Sequence, residues 1–232
     1  APLRRPGLHP RSMTLPLPFS SAPTHGSNSA GEVIALEPGI ALLRGCATTR
    51  ILLPLIESIA ARSPFRHLTT PGGGQMSVAM TNCGPLGWVS DRTGYRYSPV
   101  DPLTASGWPA MPAEFRALAL RAAAASGFPE FDPDACLINR YEIGARMGAH
   151  RDADESNFQQ PIVSVSLGLP ATFVFYGLTR GGKGSPVPLA DGDVLVWGGP
   201  ARLRYHAVRK VLPAQHSLTG SLRYNLTFRR GR

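Results

Sequence analysis

The sequence predicts a mostly β protein with flanking helices, an α+β chain built on an antiparallel sandwich or jelly roll. Three observations predict it. Gly (25) and Pro (23) together exceed a fifth of the 232 residues, which leaves little room for long continuous helices. The second half is a series of short β-branched and aromatic runs separated by turn residues, with no helical pattern between them. The length suits one domain whose core is large enough to stand without cross-links.

Taken in order, residues 1–31 carry Arg4, Arg5 and Arg11, no acid, and many Pro, Ser and Gly residues. Such a segment cannot bury enough apolar surface to order itself, so it is expected to be a disordered basic tail. Prolines interrupt its apolar stretches, so no targeting helix is expected there. Residues 32–232 are expected to form one catalytic domain. Val33–Leu36 and Ile40–Leu43 read as strands about the Glu37-Pro38-Gly39 turn, and Arg50–Ala61 as a helix interrupted by Pro54 and stopped before Pro64. Residues 64–112 read as loop-rich. Residues 112–127 read as a helix, with Pro112 at its start and Gly127 at its end. The core is expected over 135–232, with strands at Ala135–Tyr141, Ile162–Leu167, Thr172–Tyr176, Asp193–Trp197, Leu203–Val208 and Leu222–Arg229.

The formal net charge is +9, and the basic residues are nearly all Arg, with Lys only at 183 and 210. Guanidinium favours planar anions such as phosphate and carboxylate, so a polyanionic partner is one reading of this bias and plain solubility is the other. Cys46, Cys83 and Cys136 lie far apart with no CxxC pair, which argues against a disulfide framework or a zinc ribbon. They read as buried thiols in a reducing, cytoplasmic setting. No membrane span is expected, because the longest uncharged stretch, 156–179, is broken by Gln, Ser, Gly and Pro.

The densest polar cluster is His150-Arg151-Asp152-Ala153-Asp154-Glu155. On extended backbone His150 and Asp152 point to one side and offer two ligands for a divalent metal. His206, within the strand-like 203–208 run, is a candidate third. Two histidines and one carboxylate match the facial triad of non-haem Fe(II). Alone, HxD also reads as a solvated acidic turn, and a strand histidine as hydrogen-bonded core. The C-terminal run Arg223-Tyr224-Asn225-Leu226-Thr227-Phe228-Arg229 puts Arg223, Asn225, Thr227 and Arg229 on one strand face. Buried guanidinium groups need anions, and two-point carboxylate binding is their favoured use. An exposed edge strand with a solvated polar face is the alternative. Asn139 and Tyr141 alternate in the same way and are placed to donate to the same anion.

Together these residues resemble a bacterial AlkB-type alkylated nucleic acid repair dioxygenase of the Fe(II)/2-oxoglutarate oxygenase superfamily. The likeness covers about residues 60–230. It rests on Ser63-Pro64-Phe65-Arg66, Thr70-Pro71-Gly72-Gly73, the run Met76 to Gly84, Trp108-Pro109-Ala110-Met111-Pro112, Leu137-Ile138-Asn139-Arg140-Tyr141, His150-x-Asp152-x-Asp154-Glu155, the run Gly192 to Gly199, and Arg223 to Arg229. The resemblance implies a double-stranded β-helix, Fe(II) on His150, Asp152 and His206, and 2-oxoglutarate held by Asn139, Tyr141, Arg223, Asn225 and Arg229. It implies that 64–112 is a nucleotide-recognition lid. Met80, Trp88, Tyr95, Asp154 and Arg180 would contact substrate, with Trp88 and His150 sandwiching a flipped base and Asp154 facing its exocyclic amine or cationic ring. The reaction implied is oxidative dealkylation of 1-methyladenine- or 3-methylcytosine-type lesions in single-stranded DNA, with double-stranded DNA and RNA as further substrates. It would consume 2-oxoglutarate and O2 and release aldehyde, succinate and CO2, in a monomer away from membranes. Arg146 and Arg151 depart from the family pattern and are placed to touch phosphate. A hydroxylase of proteins or small molecules on the same scaffold, and an inert nucleic-acid-binding relative, are the competing readings; the complete ligand set disfavours the second and the basic balance the first.

Overall fold

The computed structural model describes residues 31–232, so the expected tail as far as residue 30, with His9 and His25, lies outside the described residues. The elements in chain order are β1 (Val33–Glu37), β2 (Ile40–Leu43), α1 (Thr49–Arg62), β3 (Arg66–Thr69), β4 (Gln75–Cys83), β5 (Gly87–Asp91), β6 (Gly94–Ser98), β7 (Val100–Asp101), β8 (Ser106–Gly107) and α2 (Ala113–Ala125). Then follow β9 (Ala135–Tyr141), β10 (Met147–His150), β11 (Ile162–Gly168), β12 (Ala171–Phe175), β13 (Ser185–Leu189), β14 (Val194–Trp197), a 3-10 turn (Gly199–Ala201), β15 (His206–Val208) and β16 (Arg223–Arg229).

Eight strands in the order β1-β2-β14-β11-β16-β9-β4-β3 form one sheet, and β10-β15-β12-β13 form a second. Their pairings are antiparallel. Period-two alternation assigns the layers. Tyr224, Leu226 and Phe228 of β16 and Val163, Val165 and Leu167 of β11 face outward, onto Leu52, Ile56 and Ile59 of α1 and Phe115, Leu118 and Ala122 of α2. On the inner face Ile40, Leu42, Met80, Ile162, Leu195 and Trp197 meet Phe173, Phe175, Val187 and Val208 of the smaller sheet. The intervening positions of the central strands are the polar Asn139, Ser164, Ser166, Asn225 and Thr227, all buried. The large sheet is therefore apolar toward the helices and polar toward the interior, which places a polar chamber between the two sheets.

Several expectations are corrected. Residues 64–112 are not loop-rich: they hold six strands, among them β4, nine residues long and built into the large sheet. Its Met76-Val78-Met80 alternation is a strand signal that the surrounding Gly and Pro obscure. β13, which the sequence reading did not anticipate, forms despite Pro186 and Pro188. It is the outer strand of its sheet, where a missing N–H costs no ladder bond. The strand expected from Leu203 begins only at His206, since the N–H groups of Arg202 and Arg204 turn back to Gly199 and Ala201. Pro54 does not interrupt α1; it is exposed, and water can satisfy the carbonyl it leaves unpaired. All three cysteines are free, and Cys83 and Cys136 are buried cross-strand partners in β4 and β9. No helix among the described residues is long and apolar enough to cross a membrane.

Candidate active site

The register of β10 against β15 sets His150 directly opposite His206, so antiparallel pairing brings both imidazoles to one face. Asp152 lies two residues past the end of β10 and curls back between them. His150 Nε2 is 3.8 Å from one Asp152 oxygen and His206 Nε2 is 3.6 Å from the other. The three donor atoms lie within 4.8 Å of one another. Each ring is turned by its other nitrogen: His150 Nδ1 meets the Gly148 carbonyl at 2.8 Å and His206 Nδ1 the Arg204 carbonyl at 3.2 Å. Donation from Nδ1 leaves the Nε2 lone pair aimed inward.

Electrostatics sharpen this picture. Burial lowers the His206 pKa to about 3, with His150 adding to the effect, so the ring is neutral at ordinary pH. Burial would raise Asp152, but Arg229, followed by the two histidines and Arg202, outweighs it and holds the carboxyl at about 2. Neutral Nε2 and ionised carboxylate are both electron-pair donors facing each other across less than 4 Å, with Asp152 Oδ2 buried and unpartnered. Only a cation makes such an arrangement favourable, and two imidazoles with one carboxylate suit Fe(II). His206 is further fixed by Phe173, stacked on it at 5.3 Å, and by Trp197 at 5.2 Å. Sequence reading placed these two aromatics only within strands, and nothing in their alternation marks them as neighbours of a metal ligand.

The chamber is a cavity of about 480 Å³ that reaches the surface. Met80, Asn139, Tyr141, Asn225 and Arg229 of the large sheet line one wall, Trp88 and Tyr95 of the β5–β6 hairpin another, and the exposed Asp154, Arg180, Arg146 and Arg151 the mouth, with His150, Asp152 and His206 among the same lining. The structure therefore brings the expected site residues to one cavity. Arg223 alone is not on its surface. It is 1% exposed, lies 4.7 Å beneath the Tyr141 ring, and bonds Ser166 Oγ at 3.1 Å. Its Nε and Nη1 have no partner, and no carboxylate pairs with it among the described residues. Asn139 bonds Asn225 across the register at 3.2 Å, and one Asn139 amide atom remains unpartnered. A buried guanidinium without an anion is costly, and this one adjoins unspent amide and phenol groups.

Arg229 lines the cavity and its guanidinium lies 2.9 Å from Asp152 and 3.7 Å from Glu155, so it also holds the carboxylate arm. Glu155, Tyr97 and Arg202, which share this buried cluster, carried no role in the sequence reading. Trp88 stacks on Tyr95 at 5.4 Å, and its Nε1 donates to Asp154 at 2.8 Å, so Asp154 orients the indole. The arginines at the mouth form no ion pairs among the described residues; Arg151 and Arg180 instead flank the Tyr205 ring at 5.6 and 5.9 Å.

A profile of the 2OG-Fe(II) oxygenase superfamily matches residues 39–229. The chain is 53% identical over 196 residues to the alpha-ketoglutarate-dependent dioxygenase AlkB of Escherichia coli strain K12, covering 84% of this chain and 91% of that one. It is 40% identical over 211 residues to an AlkB homologue of Caulobacter vibrioides, covering 89% and 94%. The solved structure of OsALKBH1 superposes with a TM-score of 0.74 at 28% identity, covering 86% of this chain and all of that one. With the His-Asp-His cluster in place between the two sheets, the chain belongs to the 2OG-Fe(II) oxygenase superfamily and is an Fe(II)- and 2-oxoglutarate-dependent dioxygenase of the AlkB type.

Proposed function

We propose that this chain removes alkyl groups oxidatively from ring nitrogens of bases, of the 1-methyladenine and 3-methylcytosine type, in single-stranded DNA. The observation that carries the reading is one cavity with three parts: a His-Asp-His floor, an aromatic wall and a cationic mouth. His150, Asp152 and His206 would hold Fe(II). Arg223 and Arg229 would bind 2-oxoglutarate with Asn139, Tyr141 and Asn225. With O2 as the oxidant, bound iron and 2-oxoglutarate would supply the chemistry that hydroxylates the N-alkyl carbon: one oxygen atom would go to that carbon, which would leave as an aldehyde, and the other to 2-oxoglutarate, which would be oxidised to succinate and CO2.

The protein's share is positioning and exclusion of water. A base must leave the stack to reach so recessed a floor, and Trp88 with Tyr95 offers a π-surface against which it can rest. His150, half-exposed and on the floor, would close the other side. Asp154 spends one oxygen on Trp88 and keeps the other for an exocyclic amine or cationic ring. Arg146, Arg151 and Arg180, free of acidic partners among the described residues, suit a phosphate backbone better than a neutral peptide or a small molecule. Met80 fills the cavity wall beneath the base. Relatives in Arabidopsis thaliana are named DNA N(6)-methyladenine demethylases, and a human relative a nucleic acid dioxygenase; each matches over only part of its own length. The chain would act as a monomer, in a reducing compartment that keeps its cysteines free.

The test incubates the protein with Fe(II), 2-oxoglutarate and a single-stranded oligonucleotide carrying 1-methyladenine or 3-methylcytosine. Formaldehyde and restored base are expected, both abolished in His206→Ala and Asp152→Ala. Wild-type protein that converts 2-oxoglutarate to succinate but leaves the methylated base intact would refute the nucleic acid reading.

A further inference from the structure

Beside the metal-binding carboxylate lies a group of buried side chains drawn from four distant parts of the chain. Glu155 follows Asp152 by three residues on a segment without regular structure, yet it is 5% exposed. Tyr97 Oη donates to one Glu155 oxygen at 2.6 Å, and Arg202 reaches the other at 3.1 Å. Arg229 lies 3.7 Å from Glu155 and binds Asp152 at 2.9 Å. Arg202 also donates to the backbone carbonyls of Asp152 at 2.9 Å and Gln160 at 3.0 Å, pinning both flanks of the segment. Two carboxylates and two guanidiniums balance, so the group carries no net charge, and each member depends on the others for its partners.

Tyr97 gives this group a reach beyond the metal. It belongs to the β5–β6 hairpin, where it stands directly opposite Trp88 and two residues from Tyr95, so the three aromatics share one face. Trp88 and Tyr95 look into the cavity; Tyr97 is sunk into the protein. Its ring rests on the backbone of Gly231, where even a Cβ would approach to 3.0 Å. If the hairpin lifts, the phenol must leave, and Glu155 is left buried without its shortest donor. A buried carboxylate in that position shifts toward its remaining cations, one of which holds Asp152.

We infer that Glu155 and Tyr97 are positioning residues that latch the aromatic hairpin to the Asp152 arm, so that seating the hairpin over a nucleotide and setting the metal-binding carboxylate are one event. The inference rests on the metal and substrate reading above and adds a coupling to it. Neither residue touches the reacting atoms: Tyr97 acts through Glu155, and Glu155 through Arg229.

The experiment uses the whole chain, Mn(II) as the metal probe in titration calorimetry, and amide hydrogen exchange over residues 87–98. Tyr97→Phe removes one oxygen and keeps the ring on Gly231. It is expected to speed exchange in the hairpin and weaken Mn(II) binding about tenfold, the scale seen for partners of metal ligands. Glu155→Gln, which keeps shape and loses charge, is expected to do both as well, and the double variant to lose no more than the worse single one. Ser90→Ala, which cuts the 2.6 Å bond from the other end of the hairpin to the Thr69 carbonyl, should speed exchange and leave Mn(II) affinity unchanged. With an alkylated oligonucleotide, Tyr97→Phe should raise KM more than it lowers kcat. Wild-type Mn(II) affinity in both Tyr97→Phe and Glu155→Gln, or losses that simply add, would overturn the latch while leaving the metal site standing. Failure of the wild-type chain to bind Mn(II) would overturn the metal site and the latch with it.

Discussion

Arg223 states at the scale of one residue how this site trades stability for binding. Its guanidinium is fully buried, its usual counter-charge is missing from the fold, and burial pulls its pKa below the ordinary arginine value, with Tyr141 opposing that fall. Replacing such a group with an apolar side chain of similar length relieves desolvation that nothing in the protein repays. Arg223→Met is therefore expected to melt at a higher temperature than wild type without 2-oxoglutarate, and to lose the stabilisation that 2-oxoglutarate gives wild type. Loss of the charge-assisted contacts should weaken 2-oxoglutarate by about 10- to 100-fold, from about 1.5–3 kcal/mol for hydrogen bonds to a charged group. Thermal melts with and without 2-oxoglutarate check both parts; an unchanged 2-oxoglutarate shift in the variant would remove Arg223 from the anion site. This residue was legible in the sequence because a polar row on a β-strand cannot be ordinary core. Arg229 lies on the same row and was read the same way; its ion pair with Asp152 was not part of that reading. Alternation tells which face a side chain occupies, while its partner depends on how the 151–155 segment folds back, and no local pattern encodes that.

At the scale of elements, strand identity was legible wherever polar and apolar residues alternate without breakers, as in β9, β11 and β16. It was obscured where a strand's pairing, rather than its own composition, makes it possible. β13 tolerates two prolines only because it has a free edge, and the β5–β6 hairpin is short and flanked by Gly and Pro. That hairpin seats by close approach. A Cβ on Gly87 would come within 2.3 Å of the Trp108 ring, which is held by its Nε1 bond to the Ser98 carbonyl at 2.8 Å and by Arg66, 5.1 Å away. The ring has little freedom to yield, so the hairpin must. Gly87→Ala is expected to cost about 1–3 kcal/mol, the usual range for overpacking a filled site. It should raise KM for an alkylated oligonucleotide while leaving the apparent affinity for 2-oxoglutarate unchanged, because the proposed anion site draws on β9 and β16 and not on the hairpin. Denaturant melts and steady-state kinetics check it; a variant as stable as wild type would mean that Trp108 is loosely held.

Across the whole molecule, the net charge of +9 separates into parts with different roles. Three positive charges belong to residues 1–31, read only from sequence. Arg202, Arg223 and Arg229 are buried and cannot meet a polymer. Arg44, Arg66 and Arg116 are paired with acids. Arg146, Arg151 and Arg180 lie at the cavity mouth, the last two held against Tyr205, so their orientation is set before a partner arrives. Each phosphate neutralised on a single strand contributes about −0.7 to the slope of log K against log salt. If these arginines meet the backbone of the strand whose base enters the cavity, Arg151→Ala and Arg180→Ala should each make that slope shallower by about 0.7. Arg121→Ala, on the exposed side of α2 behind the large sheet, should leave the slope alone, although it removes the same charge. Fluorescence anisotropy with a methylated single-stranded oligonucleotide across a salt series measures all three. Equal slopes for the three variants would show that the protein responds to its total charge, and that the mouth does not track the strand.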